Sequence, residues 1–206
     1  MADAKLRLIY FDFRGRAEIA RLLLAAAGKE YDDVRYTMEE WPRIKPTTPY
    51  GQVPVLEVDG VRFGLSIAIY KFLAREFNFY GKNNMEHFKI DEIVHLYGDF
   101  FNTVIRFWFY TEDEDAKNAG IKYCKETESP KLLGFLERSL RNNDTGYFVG
   151  DGITLADIVL LDLETGSLAT FVDINNNYPL LKRNLQLVRG NHRIADYLTQ
   201  RKEAPY

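Results

Sequence analysis

Apolar and polar positions change their period along the chain. Leu6-Arg7-Leu8-Ile9-Tyr10 alternates enough for a first strand, and Gly15 interrupts it before a helix beginning near Arg16. Ile19, Leu22, Leu23 and Ala26 share one face of that helix, and Gly28 stands where a left-handed terminal residue belongs. Tyr31–Tyr36 reads as a weaker strand, followed by a loop. Val55–Val58 and Val61–Phe63 are short β-branched and apolar runs joined by Asp59-Gly60, a pair suited to the positive φ angles of a tight hairpin turn. Ser66 then opens a helical pattern through Ile69, Phe72 and Leu73. Strand, helix and strand in that order predict a right-handed βαβ unit whose first two strands are parallel.

Asn78–Met85 reads as a linker, after which helical periodicity takes over. Ile90, Ile93, Val94, Tyr97, Phe101, Val104, Ile105 and Trp108 form one apolar stripe, while Asp91, His95, Asp99, Asn102 and Arg106 share a polar face, so one long helix is expected. Glu112–Gly120 reads as an acidic turn. Ser129-Pro130 is expected to start a helix as cap and first residue, carrying Leu133, Leu136 and Leu140. Thr154-Leu155-Ala156-Asp157 is a capping box in its Asp form, with a structural role. Pro179 opens a further helix, and 193–200 forms the last. The fold class is therefore α/β plus all-α: an α/β domain over residues 1–80, then an all-helical domain over 86–206.

Composition narrows the function classes. A net charge of −3 gives no electrostatic reason to expect nucleic acid or an anionic membrane as partner. The single cysteine, Cys124, excludes an internal disulfide framework and a Cys-x-x-Cys redox motif, which fits a reducing compartment. Met-Ala-Asp-Ala-Lys lacks the apolar core of a signal peptide, and no apolar run approaches the roughly 18 residues of a membrane span. A cytoplasmic protein is expected.

The stretch from Trp41 to Ser66 carries the chemistry. Pro54 precedes a strand directly, where a missing N–H costs least, and the Val53-Pro54 bond is a candidate for the cis form. Bent back there, the backbone of Val53 would face outward and pair with an extended peptide as an added strand. The first N–H groups of the helix at Ser66 attract carboxylates. An extended edge close to an anion pocket suits a short acidic peptide.

Gly51-Gln52-Val53-Pro54-Val55-Leu56-Glu57-Val58-Asp59-Gly60, followed by Ser66-Ile67-Ala68-Ile69, resembles the glutathione-binding half of cytosolic glutathione transferases. Glu40-Trp41-Pro42-Arg43-Ile44-Lys45 and Tyr10-Phe11-Asp12-Phe13-Arg14-Gly15-Arg16-Ala17-Glu18 are similar to the sigma class, including its helminth members and the glutathione-dependent prostaglandin D synthase. The similarity spans essentially the whole chain. It implies a thioredoxin-like first domain and a homodimer. It also implies that Tyr10 is catalytic, its hydroxyl donating to the glutathione sulfur and holding it as thiolate. Lowering a thiol pKa from about 8.5 to about 6.5 needs about 2.7 kcal/mol, and one hydrogen bond to a charged group supplies about 1.5–3 kcal/mol.

The other glutathione contacts implied by the resemblance are Trp41 and Lys45 at the glycine carboxylate, Gly51, Gln52 and the backbone of Val53, Ser66 at the γ-glutamyl carboxylate, Arg16 lining the same site, and Asp99 reaching the partner subunit's glutathione amine. Phe11, Phe13, Arg14, Arg106 and Phe107 are expected around the electrophile. Three positions depart from the family pattern. Leu65 replaces a glutamine, leaving only backbone contact. His95 and Gly98 replace carboxylates that bind a divalent cation in some sigma members, so no metal is expected. Arg106 replaces a tryptophan that walls the prostaglandin pocket.

The leading expectation is an enzyme in which glutathione thiolate adds to soft electrophiles or reduces organic hydroperoxides, combining an activated nucleophile with positioning of both substrates. The alternatives are a glutathione-dependent prostaglandin isomerase and a low-activity ligand-binding or structural protein, as in lens S-crystallins.

Overall fold

A computed structural model describes residues 4–204. Residues 1–3 and 205–206, which the expected domain bounds include, lie outside the described residues. The chain divides into two compact units, one running to Phe79 and resuming at Arg189, the other from Tyr80 to Val188.

The first unit is built on a four-stranded sheet in the order β2-β1-β3-β4: β1 (Leu6–Phe11), β2 (Asp32–Tyr36), β3 (Val55–Val58) and β4 (Val61–Gly64). β1 pairs parallel with β2 and antiparallel with β3, which pairs antiparallel with β4. The crossover between β1 and β2 contains α1 (Glu18–Ala27), ended by Gly28 at φ 64°, whose N–H returns to the carbonyls of Ala25 and Leu24. The hairpin turn has positive φ at both Asp59 (49°) and Gly60 (86°), as its sequence predicts. α3 (Ser66–Glu76) follows and packs against α1. Leu8, Leu56, Ile19, Leu22, Leu23, Ile69 and Leu73 are buried, so the sheet and both helices contribute to one apolar core. This is the thioredoxin-like arrangement.

Two features of this unit differ from the sequence reading. The segment read as loop before β3 contains α2 (Trp41–Ile44) and a 3₁₀ turn at Lys45–Thr47. Each has a proline at its start, where the absent N–H has no helical acceptor to lose. The helical domain was also expected to run to 206, yet α9 (His192–Gln200) and the described residues after it, to Ala204, belong to the first unit. Ile194 is fully buried, Arg193 donates to the Ala27 carbonyl at the end of α1, and Tyr197 and Arg201 both reach the buried Glu18 carboxylate. The periodicity of α9 identified a helix, but these partners lie more than a hundred residues upstream.

The second unit is helical. α4 (Asn84–Phe109) is the expected long helix, capped by Asn83, whose side chain accepts from the Glu86 N–H. Ile90, Ile93, Val94, Tyr97, Phe101 and Val104 are buried, while His95, Asp99, Asn102 and Arg106 are exposed. The acidic stretch read as a turn is instead α5 (Glu114–Tyr123), with Asp113 as its cap accepting from Ala116 N–H. Acidic residues in a first turn complement the helix dipole, so the composition that looked like a loop is a helix start. Ser129 is not an N-cap. A π-helical segment, Cys124–Glu128, runs into α6 (Ser129–Arg141), and the residues flanking that junction keep helical angles. Pro130 cannot donate back along the helix, and the wider π turn absorbs the interruption without ending it. α7 (Leu155–Thr165) is buried from Leu155 to Leu163, and α8 (Pro179–Arg189) completes the order. The Thr154–Asp157 capping box is present as expected. Asp157 also accepts from Phe148 N–H and Asn184 Nδ2, making it a buried hub between α7 and α8.

Candidate functional site

Tyr10 stands near the C-terminal end of β1 and is 6% exposed. Its hydroxyl oxygen accepts the backbone N–H of Arg16 at 3.1 Å. That bond uses the oxygen as acceptor and does not consume the O–H hydrogen, which is the donor a thiolate would need. The ring meets Phe11 and Phe13 edge to face, each with centroids 5.5 Å apart, and Phe11 and Phe13 stack on each other at 5.4 Å. Trp41, at the start of α2, meets the Phe11 ring edge to face at 5.3 Å. Such pairs are worth about 0.5–1.5 kcal/mol each beyond area burial. They tie the end of β1 to the α2 segment.

Gly15 explains how the hydroxyl reaches Arg16. The chain turns at φ +42° there, and an added β carbon would lie 2.5 Å from the Tyr10 oxygen. From the other side, the Tyr70 hydroxyl on α3 donates to the Arg16 carbonyl. The turn carrying Arg16 and the helix opening at Ser66 are therefore fixed to each other. Sequence reasoning missed Tyr70, since a buried tyrosine on an apolar face carries no signal that its hydroxyl crosses to another segment.

The remaining residues of the first unit fall into place along one sequence of elements. Val53 precedes the Val53-Pro54 bond, which is cis, and lies outside the ladder that begins with Val55 opposite Ile9. Gly51 takes φ +63°, and a β carbon there would lie 3.5 Å from Cε of Lys45, whose exposed side chain runs past it. Gln52 is exposed and Ser66, half-buried, is the first residue of α3. Leu65, just before it, holds φ +71° and is 54% exposed. Arg14, expected beside the electrophile, donates from its guanidinium to the Ala204 carbonyl. Asp99, Arg106 and Phe107 belong to α4 of the second unit. Asp99 and Arg106 are exposed there, and the Arg106 guanidinium stacks over the Phe107 ring at 4.7 Å.

An open polar depression lined by Lys5, Arg7, Asp32, Glu57 and Asp59 lies at the other end of β1 from Tyr10. Within it Arg7 pairs with Glu57 at 3.0 Å and with Asp32 at 3.7 Å, and Asp59 accepts the Lys5 backbone N–H at 2.9 Å.

The chain is similar to known proteins along nearly its whole length. Residues 6–75 match the family described as glutathione S-transferase, N-terminal domain, and residues 98–201 match glutathione S-transferase, C-terminal domain. The chain is 36% identical over 202 residues to glutathione S-transferase 4 of Caenorhabditis elegans, covering 96% of this chain and 97% of that one. It is 37% identical over 195 residues to the hematopoietic prostaglandin D synthase of Gallus gallus, covering 95% and 96%. The solved Fasciola hepatica sigma class glutathione transferase superposes with a TM-score of 0.86 at 34% identity, covering 98% of this chain and 99% of that one. With both domains matched and relatives similar along nearly their whole length, the chain belongs to the glutathione S-transferase family.

Proposed function

We propose that Tyr10 is the catalytic residue of this glutathione transferase, donating its hydroxyl hydrogen to the glutathione sulfur and holding it as thiolate for attack on a soft electrophile. One observation carries the reading: the Tyr10 oxygen is fixed at 3.1 Å from the Arg16 N–H with its ring walled by Phe11 and Phe13. Glutathione lies along the first unit, with its backbone pairing to Val53 beside Gly51 and Gln52. Its γ-glutamyl end sits at Ser66 with Leu65 and Arg16, and its glycine carboxylate at Trp41 and Lys45. Both carboxylates then meet donors suited to anions, a helix N-terminus at one end and an indole N–H and an ammonium at the other. Phe11, Phe13 and Arg14 are the first unit's candidates for contact with the electrophile, and Arg106 and Phe107 those of the second.

The enzyme is sigma-like, cytoplasmic, independent of metal and a homodimer in which Asp99 completes the partner's glutathione site. His95 and Gly98 offer no carboxylate for a divalent ion. The edge strand β4 exposes Val61 and Phe63, and Tyr50, in the turn before β3 and beside Gly64, is exposed as well, an apolar strip that a second copy would cover. A monomer by light scattering at micromolar concentration would overturn that assembly.

A second reading, prostaglandin isomerisation through the same thiolate, draws support from the likeness to the avian synthase. Arg106, in place of the tryptophan walling the synthase pocket, counts against it. Turnover with glutathione and a chlorinated dinitrobenzene, run beside a prostaglandin endoperoxide, separates the two. Loss of both activities in wild-type protein would leave a ligand-binding role.

A further inference from the structure

Arg21 has no exposed surface and sits at the centre of a charge network that the thiolate mechanism does not use. Its Nη1 donates to the carbonyls of Phe13 at 3.1 Å and Arg14 at 3.3 Å, and lies 3.4 Å from Glu18 Oε2. Its Nε meets Asp33 on β2 at 3.2 Å. The other Glu18 oxygen accepts from Tyr197 at 3.0 Å and from Arg201 at 2.8 Å. Burial and the Glu18 charge hold the Tyr197 phenol far above its usual range, so at working pH its hydroxyl is a donor to that carboxylate. Beyond Arg201 the chain continues to Ala204, whose carbonyl accepts from the Arg14 guanidinium. The segment Tyr197–Ala204 therefore grips the turn after β1 twice, through Glu18 and Arg21 onto its carbonyls and directly through Arg14. That turn ends in Arg16, whose N–H fixes the Tyr10 hydroxyl.

We propose that the segment Tyr197–Ala204 is a positioning element of the glutathione site, holding the turn Phe13–Arg16, and through it the Tyr10 hydroxyl, in the geometry that favours thiolate. This rests on Tyr10 being the activating group. Tyr197 and Arg201 both act through Glu18, to which each donates.

The test uses the full chain with Arg201→Gln, the conservative Arg201→Lys, the charge-neutral Tyr197→Phe, and Tyr10→Phe as reference. Each is measured for kcat and KM for glutathione with the chlorinated dinitrobenzene, for the pH midpoint of kcat/KM, and for thermal unfolding. Arg201→Gln and Tyr197→Phe should each lower kcat by about three- to tenfold with KM for glutathione little changed. Their midpoints should move up by about half a pH unit or more. Arg201→Lys should recover most of the loss. Since Tyr197→Phe removes no charge, a shift in that variant excludes simple long-range electrostatics from Arg201. Should Arg201→Gln fail to fold, Tyr197→Phe decides alone. Midpoints unmoved in both variants while Tyr10→Phe shifts its own would overturn the positioning role and leave Tyr10 intact. A Tyr10→Phe midpoint that stays in place would remove the reading of Tyr10 and this inference with it.

Discussion

Gly15 lies against the hydroxyl end of Tyr10: a β carbon at Gly15 would come within 2.5 Å of the oxygen and 2.8 Å of a ring carbon. The neighbouring turn cannot accept even a methyl group without moving the side chain proposed to activate glutathione. Gly15→Ala should therefore destabilise the protein by about 1–2 kcal/mol from the left-handed backbone alone and lower kcat beyond that. Gly60→Ala is the control. It has φ +86° with no atom within 4 Å of an added β carbon, so it should lose comparable stability and keep its turnover. Equal kcat in the two variants would show that the close approach at Gly15 is incidental.

Tyr10→Phe keeps the ring among Phe11 and Phe13 and removes the hydroxyl. Losing about 1.5–3 kcal/mol of thiolate stabilisation corresponds to roughly ten- to a hundredfold in rate. The pKa of bound glutathione, followed by ultraviolet absorbance, should rise by about one to two units. Glutathione affinity should barely change. The Arg16 N–H loses its acceptor, so a modest drop in melting temperature is expected as well. A slow variant with its thiol pKa unmoved would make Tyr10 a packing residue and direct attention to Arg14 or Arg16.

The elements that position this site were largely legible in the sequence because their signals are local. Gly28 ending α1, Asp59-Gly60 turning the hairpin and Ser66 opening α3 each depend on residues a few positions away. What was not legible is cross-chain. Tyr70 reaching the Arg16 carbonyl, and Glu18 gathering Arg21, Tyr197 and Arg201, join segments that no period connects. The acidic stretch before Tyr123 and the proline at 130 misled for the opposite reason. Their local meaning, turn and helix start, was overridden by a continuous helical run that tolerates a π segment.

The acid limb of stability has an identifiable contributor in the sheet. Hydrogen bonds from Arg62 at 2.8 Å and Arg7 at 3.0 Å hold the Glu57 carboxyl below its ordinary value of 4.5. A carboxylate with a lowered folded pKa contributes stability that is present above its unfolded value and lost as pH falls through the folded one. Glu57→Gln should therefore be less stable than wild type at neutral pH. Its urea midpoint should also fall less steeply below about pH 4.5. Parallel wild-type and variant curves between pH 3 and pH 7 would show that Glu57 titrates alike in both states.

Leu65 is the departure from the family pattern with the most direct consequence. Its carbonyl accepts from the Ile69 N–H at 3.0 Å, so the backbone is committed to starting α3 while the side chain is more than half exposed. Leu65→Gln keeps an unbranched β carbon at φ +71°, leaving the backbone cost nearly unchanged and isolating the added amide. If that amide reaches the γ-glutamyl group beside Ser66, glutathione should bind tighter by about 0.5–1.5 kcal/mol, the net value of one hydrogen bond, or roughly two- to twelvefold in Kd. Leu65→Met changes shape and flexibility without adding a donor, and should leave Kd where it is. Calorimetry on the three proteins separates the outcomes. Tightening in Leu65→Gln alone supports the γ-glutamyl end of glutathione lying at Ser66, whereas tightening in both variants would point to packing. Unchanged binding in both would mean that the ligand's amine end is held elsewhere on the first unit.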